Sequence, residues 1–216
     1  MYRAVIFDLD GTLLDTLEDL RDGVNHVLTL KGYPERSLEE IRRFVGNGIG
    51  KLIERAAPKG TTEVERTEML RVFRAYYTEH CRIKTGPYNG IMELLQYLKE
   101  HGFLMAIVSN KNDAAVKELT RYYFADYIDA EVSIGEREGI QKKPAPDSVF
   151  EAMRLLGVKK EETVYVGDSD VDRETAKNAG LDCISVTWGF RDEEMLKELK
   201  PEYLVHEPKE IEKIVK

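Results

Sequence analysis

The run Leu104-Met105-Ala106-Ile107-Val108 contains no polar side chain, and it limits the fold more than any other stretch of the sequence. A strand covered on one face alternates apolar and polar residues, whereas a strand covered on both reads as an unbroken apolar run. Ala4-Val5-Ile6-Phe7 has the same character. Thr163-Val164-Tyr165-Val166, Cys183-Ile184-Ser185-Val186 and Tyr203-Leu204-Val205 supply further strands. Helical segments separate them. Ile91, Leu94, Leu95 and Leu98 fall on one helix face that Gly102 closes. Others are expected near 113–122, 147–156 and 171–179, and a charged last helix runs from Pro208 to Lys216. Strand–helix alternation specifies an α/β fold, a doubly wound parallel sheet with helices on both faces.

One block interrupts the alternation. Residues 17–83 read as helical throughout. Thr16 with Asp19, Ser37 with Glu40 and Thr62 with Glu65 are spaced as helix-opening caps, and Gly32-Tyr33-Pro34 ends the first helix. The expected organisation is therefore a core of residues 1–15 and 84–216 with an inserted small helical cap, 16–83. There is no internal repeat and no low-complexity tract.

Composition agrees with a globular chain. The 216 residues carry 42% hydrophobic and 33% charged side chains, enough to bury a core without a disulfide or metal. No apolar run approaches the ~20 residues of a membrane span, and the N-terminal apolar stretch meets acids too soon for a signal peptide. Cys81 and Cys183 are far apart, which suits a reducing cytoplasm. The net charge of −8 argues against a general nucleic-acid partner. It leaves room for an anionic small molecule bound by a local cation.

In an open parallel sheet, ligands sit beyond the carboxyl ends of the strands. Asp8 and Asp10 follow the first strand, Ser109 and Asn110 follow Val108, and Asp168 and Asp172 follow Val166. Lys143 lies in the loop Lys142-Lys143-Pro144-Ala145-Pro146-Asp147. Carboxylates gathered in one place repel unless a cation joins them, and their oxygens suit Mg²⁺. A lysine and a hydroxyl beside them suit a phosphate. Lys111 and Asp170 are expected at the surface or in local turns, and His26, His80, His101 and His206 lack ligand-spaced partners.

Asp8-Leu9-Asp10-Gly11-Thr12 resembles the D-x-D-G-T signature of haloacid dehalogenase superfamily phosphatases. Ser109, Lys143 and Gly167-Asp168-Ser169-Asp170-Val171-Asp172 match that family's other motifs in order. The resemblance covers essentially the whole chain and implies a Rossmann-like core. It implies that Asp8 is the nucleophile, forming an aspartyl-phosphate, and that Asp10 protonates the leaving oxygen and later activates water. It implies Mg²⁺ held by Asp8, the Asp10 carbonyl and Asp168. Ser109 and Lys143 would hold the transferring oxygens, with Thr12 and Asn110 as further substrate-binding residues. Asp172 would orient Lys143 or a metal-bound water.

Val45-Gly46-Asn47-Gly48, followed by Leu52-Ile53-Glu54-Arg55-Ala56, is similar to the cap of phosphoglycolate phosphatases, where such a loop reads the leaving group. Gly46, Asn47 and Gly48 are thus expected to bind substrate through freed N–H groups. The expected activity is Mg²⁺-dependent hydrolysis of a small phosphorylated metabolite such as 2-phosphoglycolate, by a cytoplasmic monomer or small homo-oligomer without nucleic-acid or membrane partners. Inorganic pyrophosphatases and sugar-phosphate phosphatases share the family pattern. A receiver-like phospho-acceptor switch also clusters aspartates, a hydroxyl and a lysine around Mg²⁺. Asp10 separates the two, because an acid/base there makes the phosphorylated aspartate short-lived.

Overall fold

The computed structural model describes residues 1–216, in two compact units: Met1–Leu14 with Pro87–Lys216, and Asp15–Gly86. The chain begins with strand β1 (Ala4–Phe7) and the two-residue strand β2 (Leu14–Asp15). Helices α1 (Leu17–Leu30), α2 (Leu38–Phe44), α3 (Ile49–Ala56) and α4 (Glu63–His80) follow. Strand β3 (Gly86–Pro87) pairs with β2. The chain then continues through α5 (Ile91–Glu100), β4 (Leu104–Asn112), α6 (Asp113–Tyr123), β5 (Ser133–Glu136), α7 (Asp147–Leu156) and β6 (Thr163–Gly167). It ends with α8 (Asp170–Ala179), β7 (Asp182–Val186), α9 (Glu193–Glu198), β8 (Tyr203–Val205) and α10 (Lys209–Val215).

The first unit is a six-stranded sheet in the order β5-β4-β1-β6-β7-β8, with every pairing parallel. Successive side chains of a strand point to opposite faces. Val5 and Phe7 therefore enter one core cluster while Ala4 and Ile6 enter the other, and all four are wholly buried. On the first face the strands pack with Ile91, Leu94, Leu95 and Leu98 of α5, Val116 and Leu119 of α6, and Ile211 and Val215 of α10. The second face meets Val149, Ala152 and Met153 of α7 and Ala176 and Ala179 of α8. Both faces are covered, which is why the strands have no polar alternation. Strand order reverses on either side of β1, so the crevice at its carboxyl end is where such a sheet opens to a ligand.

Three features depart from the sequence reading. Strand β4 runs on through Asn112, so Ser109 and Asn110 lie within it rather than after it. β5 and α9 were not expected. β5, Ser133-Ile134-Gly135-Glu136, has little strand character of its own and forms by pairing with Ile107 and Val108 of β4.

The second unit is wholly helical apart from the strand ends that bound it. Leu20, Val24, Val27, Leu28, Ile41, Leu52, Ile53, Met69 and Phe73 make its interior. Gly23 lets α1 approach α4, because a Cβ there would lie 2.9 Å from the Phe73 ring. Ser37 and Glu40 cap α2 reciprocally, and Thr62 accepts the Glu65 N–H at α4. The cap expected at α1 is different. Thr16 makes no side-chain cap, and its Oγ1 is buried without a partner. Asp19 instead accepts the Lys84 N–H (3.0 and 3.1 Å), the Thr85 N–H (2.9 Å) and the Thr85 hydroxyl (2.8 Å). No helix of the protein is long and apolar enough to cross a membrane.

Candidate active site

Phe7 is in register with Ile107 on β4 and Val166 on β6, so the residues just past these three positions come level although β4 itself runs on to Asn112. The Asp8 N–H donates to the Val166 carbonyl (2.8 Å), continuing the ladder one residue further. Asp8, Ser109, Asp168 and Asp172 are thereby delivered to one region, each buried. A carboxylate oxygen from each of Asp8, Asp168 and Asp172 lies within 4.8 Å of the other two.

Lys143 enters this cluster from the loop before α7. Its Nζ donates to Asp8 Oδ1 (2.7 Å), Asp172 Oδ1 (2.7 Å) and Tyr165 Oη (3.0 Å). Asn110 fixes the loop itself. Its Oδ1 accepts from the Lys143 N–H (2.9 Å) and its Nδ2 donates to the Lys143 carbonyl (3.1 Å). Lys142, the neighbouring cation, pairs with Glu136 instead.

Asp172 is placed by the start of α8. Ser169 caps the helix by accepting the Asp172 N–H, and its own N–H (3.1 Å) and hydroxyl (2.5 Å) donate to Asp172 Oδ2. Tyr165 donates to Asp172 Oδ1 at 3.0 Å. With Lys143 added, both oxygens of Asp172 are engaged by protein donors. Its contacts suit a residue that holds the lysine. Asp168 accepts from the Phe190 N–H (2.7 Å) and from the Thr12 hydroxyl (3.3 Å). Two glycines make room for it. A Cβ on Gly11, which has φ +91°, would stand 2.5 Å from Asp168 Oδ2, and one on Gly189 would collide with Asp168 Cβ and the Gly11 carbonyl.

The electrostatics follow from three buried carboxylates facing one ammonium. Burial, then the Asp172 charge, pushes the Asp8 carboxyl well above its usual range against the pull of Lys143. Burial and Asp172 likewise push Asp168 up to about 7, against the Phe190 N–H. Burial disfavours the Lys143 charge, but Asp172 and Asp8 outweigh it and hold the ammonium well above its ordinary value. The excess of negative charge and the all-oxygen donor set fit a hard divalent cation.

Two expectations change here. Thr12, expected to bind substrate, is wholly buried, with its hydroxyl on Asp168 and its carbonyl accepting from Trp188 Nε1 (3.0 Å). Its chemistry is support of Asp168. Lys111, expected at the surface, is buried, and its Nζ lies 2.6 Å from Asp10 Oδ1. The Asp10 carboxylate is therefore engaged with Lys111 and is not one of the three clustered carboxylates. Ser109 Oγ accepts from the Lys111 N–H (3.2 Å). Tyr165, Ser169, Gly189 and the Phe190 N–H were missed in the sequence. Only Ser169, three residues before an acid, carried a signal there.

Gly46, Asn47 and Gly48 belong to the helical unit, in the connection between α2 and α3. Gly46 and Gly48 have φ of +114° and +80°. Arg55 braces the loop, donating to Asn47 Oδ1 (2.8 Å) and the Phe44 carbonyl (2.6 Å).

A doubly wound sheet that gathers buried carboxylates, a lysine and a serine around the carboxyl end of its central strand is an α/β site built for an anion and a cation. The profile of the haloacid dehalogenase-like hydrolases matches residues 5–186, and the chain belongs to that family. Within it, the chain is a phosphatase. It is 35% identical over 210 residues to a phosphoglycolate phosphatase of Mesorhizobium japonicum, spanning 93% of this chain and 89% of that protein. It is 32% identical over 214 residues to one of Aquifex aeolicus, spanning 99% and 96%. A solved structure from Lactobacillus delbrueckii subsp. bulgaricus, provisionally described as a phosphoglycolate phosphatase, superposes with a TM-score of 0.94 at 35% identity. That superposition covers 99% of this chain and 98% of the other.

Proposed function

We propose that the protein hydrolyses a small phosphomonoester, 2-phosphoglycolate, through an aspartyl-phosphate on Asp8 with Mg²⁺ bound. The observation that carries this reading is the contact of Lys143 with Asp8, inside a triangle of carboxylates that one ammonium cannot neutralise.

Asp8 would attack phosphorus, forming the Asp8–O–P bond as the ester P–O bond breaks. Asp10 would hand its proton to the departing oxygen and then take one from the water that hydrolyses the acyl phosphate. That role requires Asp10 to exchange its Lys111 partner for the leaving group. Lys143 and Ser109 would hold the transferring oxygens as charge develops on them. Asp8, Asp168 and the Asp10 carbonyl would hold Mg²⁺, which supplies charge neutralisation and Lewis acidity. Asp172 keeps Lys143 in place, and Asn110 fixes its main chain. Recognition of the glycolate carboxylate is assigned to Gly46, Asn47 and Gly48, because main-chain N–H groups at positive-φ glycines bind small anions. The names of the relatives support that substrate choice.

Steady-state phosphate release tests the reading, with 2-phosphoglycolate beside sugar phosphates, nucleotides and pyrophosphate, each in Mg²⁺ and in EDTA. The expected result is Mg²⁺-dependent preference for 2-phosphoglycolate, lost in Asp8→Asn. Preference for pyrophosphate or a sugar phosphate keeps the chemistry and overturns the substrate. Full turnover by Asp8→Asn overturns the mechanism. A stable phosphoprotein without turnover would return the receiver-like alternative.

A further inference from the structure

An ammonium has three N–H donors and no acceptor. Lys143 spends all three within the protein, on Asp8 Oδ1, Asp172 Oδ1 and Tyr165 Oη. A lysine in this state has no proton left for a phosphoryl oxygen, so one partner must be released when an anion binds. Two of the partners are buried carboxylates, and losing either would cost a buried ion pair of 2.7 Å. The third is a neutral hydroxyl at the longest of the three distances.

We propose that the Tyr165 hydroxyl is a place-holder for the substrate's phosphoryl oxygen: it keeps the third proton of Lys143 bonded in the resting enzyme and surrenders it when the anion arrives. The inference rests on the phosphatase reading of Lys143 above. The hydrogen-bond directions fit it. A carboxylate only accepts, so the Tyr165 proton is on its 3.0 Å bond to Asp172, and an Oη lone pair faces Lys143. When the lysine turns away, Tyr165 keeps its donor bond and gives up only a lone-pair contact. An oxygen short of one donor is tolerated better than an orphaned N–H. The hydroxyl cannot follow the lysine, because the Tyr165 ring is wholly buried in the core cluster beneath β6. Release is thus confined to one bond, while Asp172 holds both groups in register.

This assignment has a direction that ordinary scaffolding does not. In the wild type, anion binding exchanges one lysine bond for another. In Tyr165→Phe, which keeps the ring, binding gives a partner to a donor that had none. The variant should therefore lose thermal stability in phosphate-free buffer and bind phosphate more tightly. One net hydrogen bond corresponds to roughly three- to tenfold in affinity. The measurement is calorimetric titration of inorganic phosphate into the full-length protein in Mg²⁺, with phosphate-dependent thermal stabilisation as a second readout. Tighter binding by Tyr165→Phe supports the proposal. Equal binding, or the weaker binding that a scaffold for Lys143 predicts, overturns it. If Tyr165→Phe does not fold, Tyr165→p-aminophenylalanine retains a donor for Asp172 and a poorer acceptor for Lys143, and should shift affinity the same way. A wild type that neither binds nor releases phosphate overturns the parent reading instead.

Discussion

Replacing Lys143 with methionine removes the only cation in contact with the carboxylate cluster while keeping most of the side-chain volume. At pH 8, Asp8 and Asp172 lose ion pairs of 2.7 Å that are almost wholly shielded from water. Breaking a buried pair on one side costs about 3–5 kcal/mol, because the remaining charge is left without compensation. For a chain of this size, 1 kcal/mol moves the melting temperature by roughly 2–4 °C, so the expected loss is roughly 6–20 °C. The sign with pH follows from linkage. Lys143 has its folded-state pKa raised, so its contribution is complete below the ordinary lysine value and covers pH 8. Asp8 and Asp168 are raised as well, and losing the ammonium raises them further. As pH falls, these raised carboxyls take up protons in the native state ahead of the unfolded chain and need the lysine less. Thermal unfolding of Lys143→Met in EDTA should therefore show a deficit that widens from pH 5 to pH 8 and shrinks when excess Mg²⁺ is added. Turnover should fall by roughly 10²–10³ even for fully folded protein. A deficit under about 1 kcal/mol at pH 8, or one equal at both pH values, would refute the argument.

Two other outcomes are expected. Asp168, raised to about 7, keeps its proton in the native state between about pH 4 and 7 while the unfolded chain releases it, so metal-free stability falls as pH rises through that window. Asp168→Asn should flatten that slope in EDTA and abolish stabilisation by Mg²⁺; parallel melting curves for the two proteins across pH 4–8 would contradict it. Asp19→Ala removes the acceptor for three donors on Lys84 and Thr85, and chemical denaturation should report a loss of roughly 2–4 kcal/mol, with wild-type stability showing the tie to be dispensable.

The sequence exposes some parts of this molecule and hides others for physical reasons. β1 and the first half of β4 were legible because burial on both faces favours an unbroken apolar run, whereas the polar second half of β4, Ser109 to Asn112, was not. β5 was not, since Ser133 and Gly135 take strand form only against a neighbour. Asp8 and Asp168 were legible because each follows a buried apolar strand, whereas Ser109 and Lys143 were marked by their motifs alone, the first lying inside β4 and the second in the loop before α7. What sequence cannot show is a partner far along the chain. Thr16 and Asp19 have cap spacing, but the carboxylate finds better donors 65 and 66 residues on. Lys111 reads as a turn residue until Asp10 meets it from 101 residues away. Tyr165 reads as one more core aromatic, and only Lys143 and Asp172 give its hydroxyl a purpose.

The central position of β1 also sets a problem of timing. On the ribosome this strand emerges roughly 100 residues ahead of β4 and roughly 160 ahead of β6, its two neighbours. At about 5–20 residues per second that is a wait of roughly 5–30 s. Meanwhile the helical unit, whose contacts lie within its own short stretch, is being made. Ala4–Phe7 spends that interval apolar on both faces and unpaired on both edges, a ready template for the wrong partner. The arrangement that puts Asp8 at the heart of the sheet thus makes a strand synthesised well before both its neighbours wait longest to be paired.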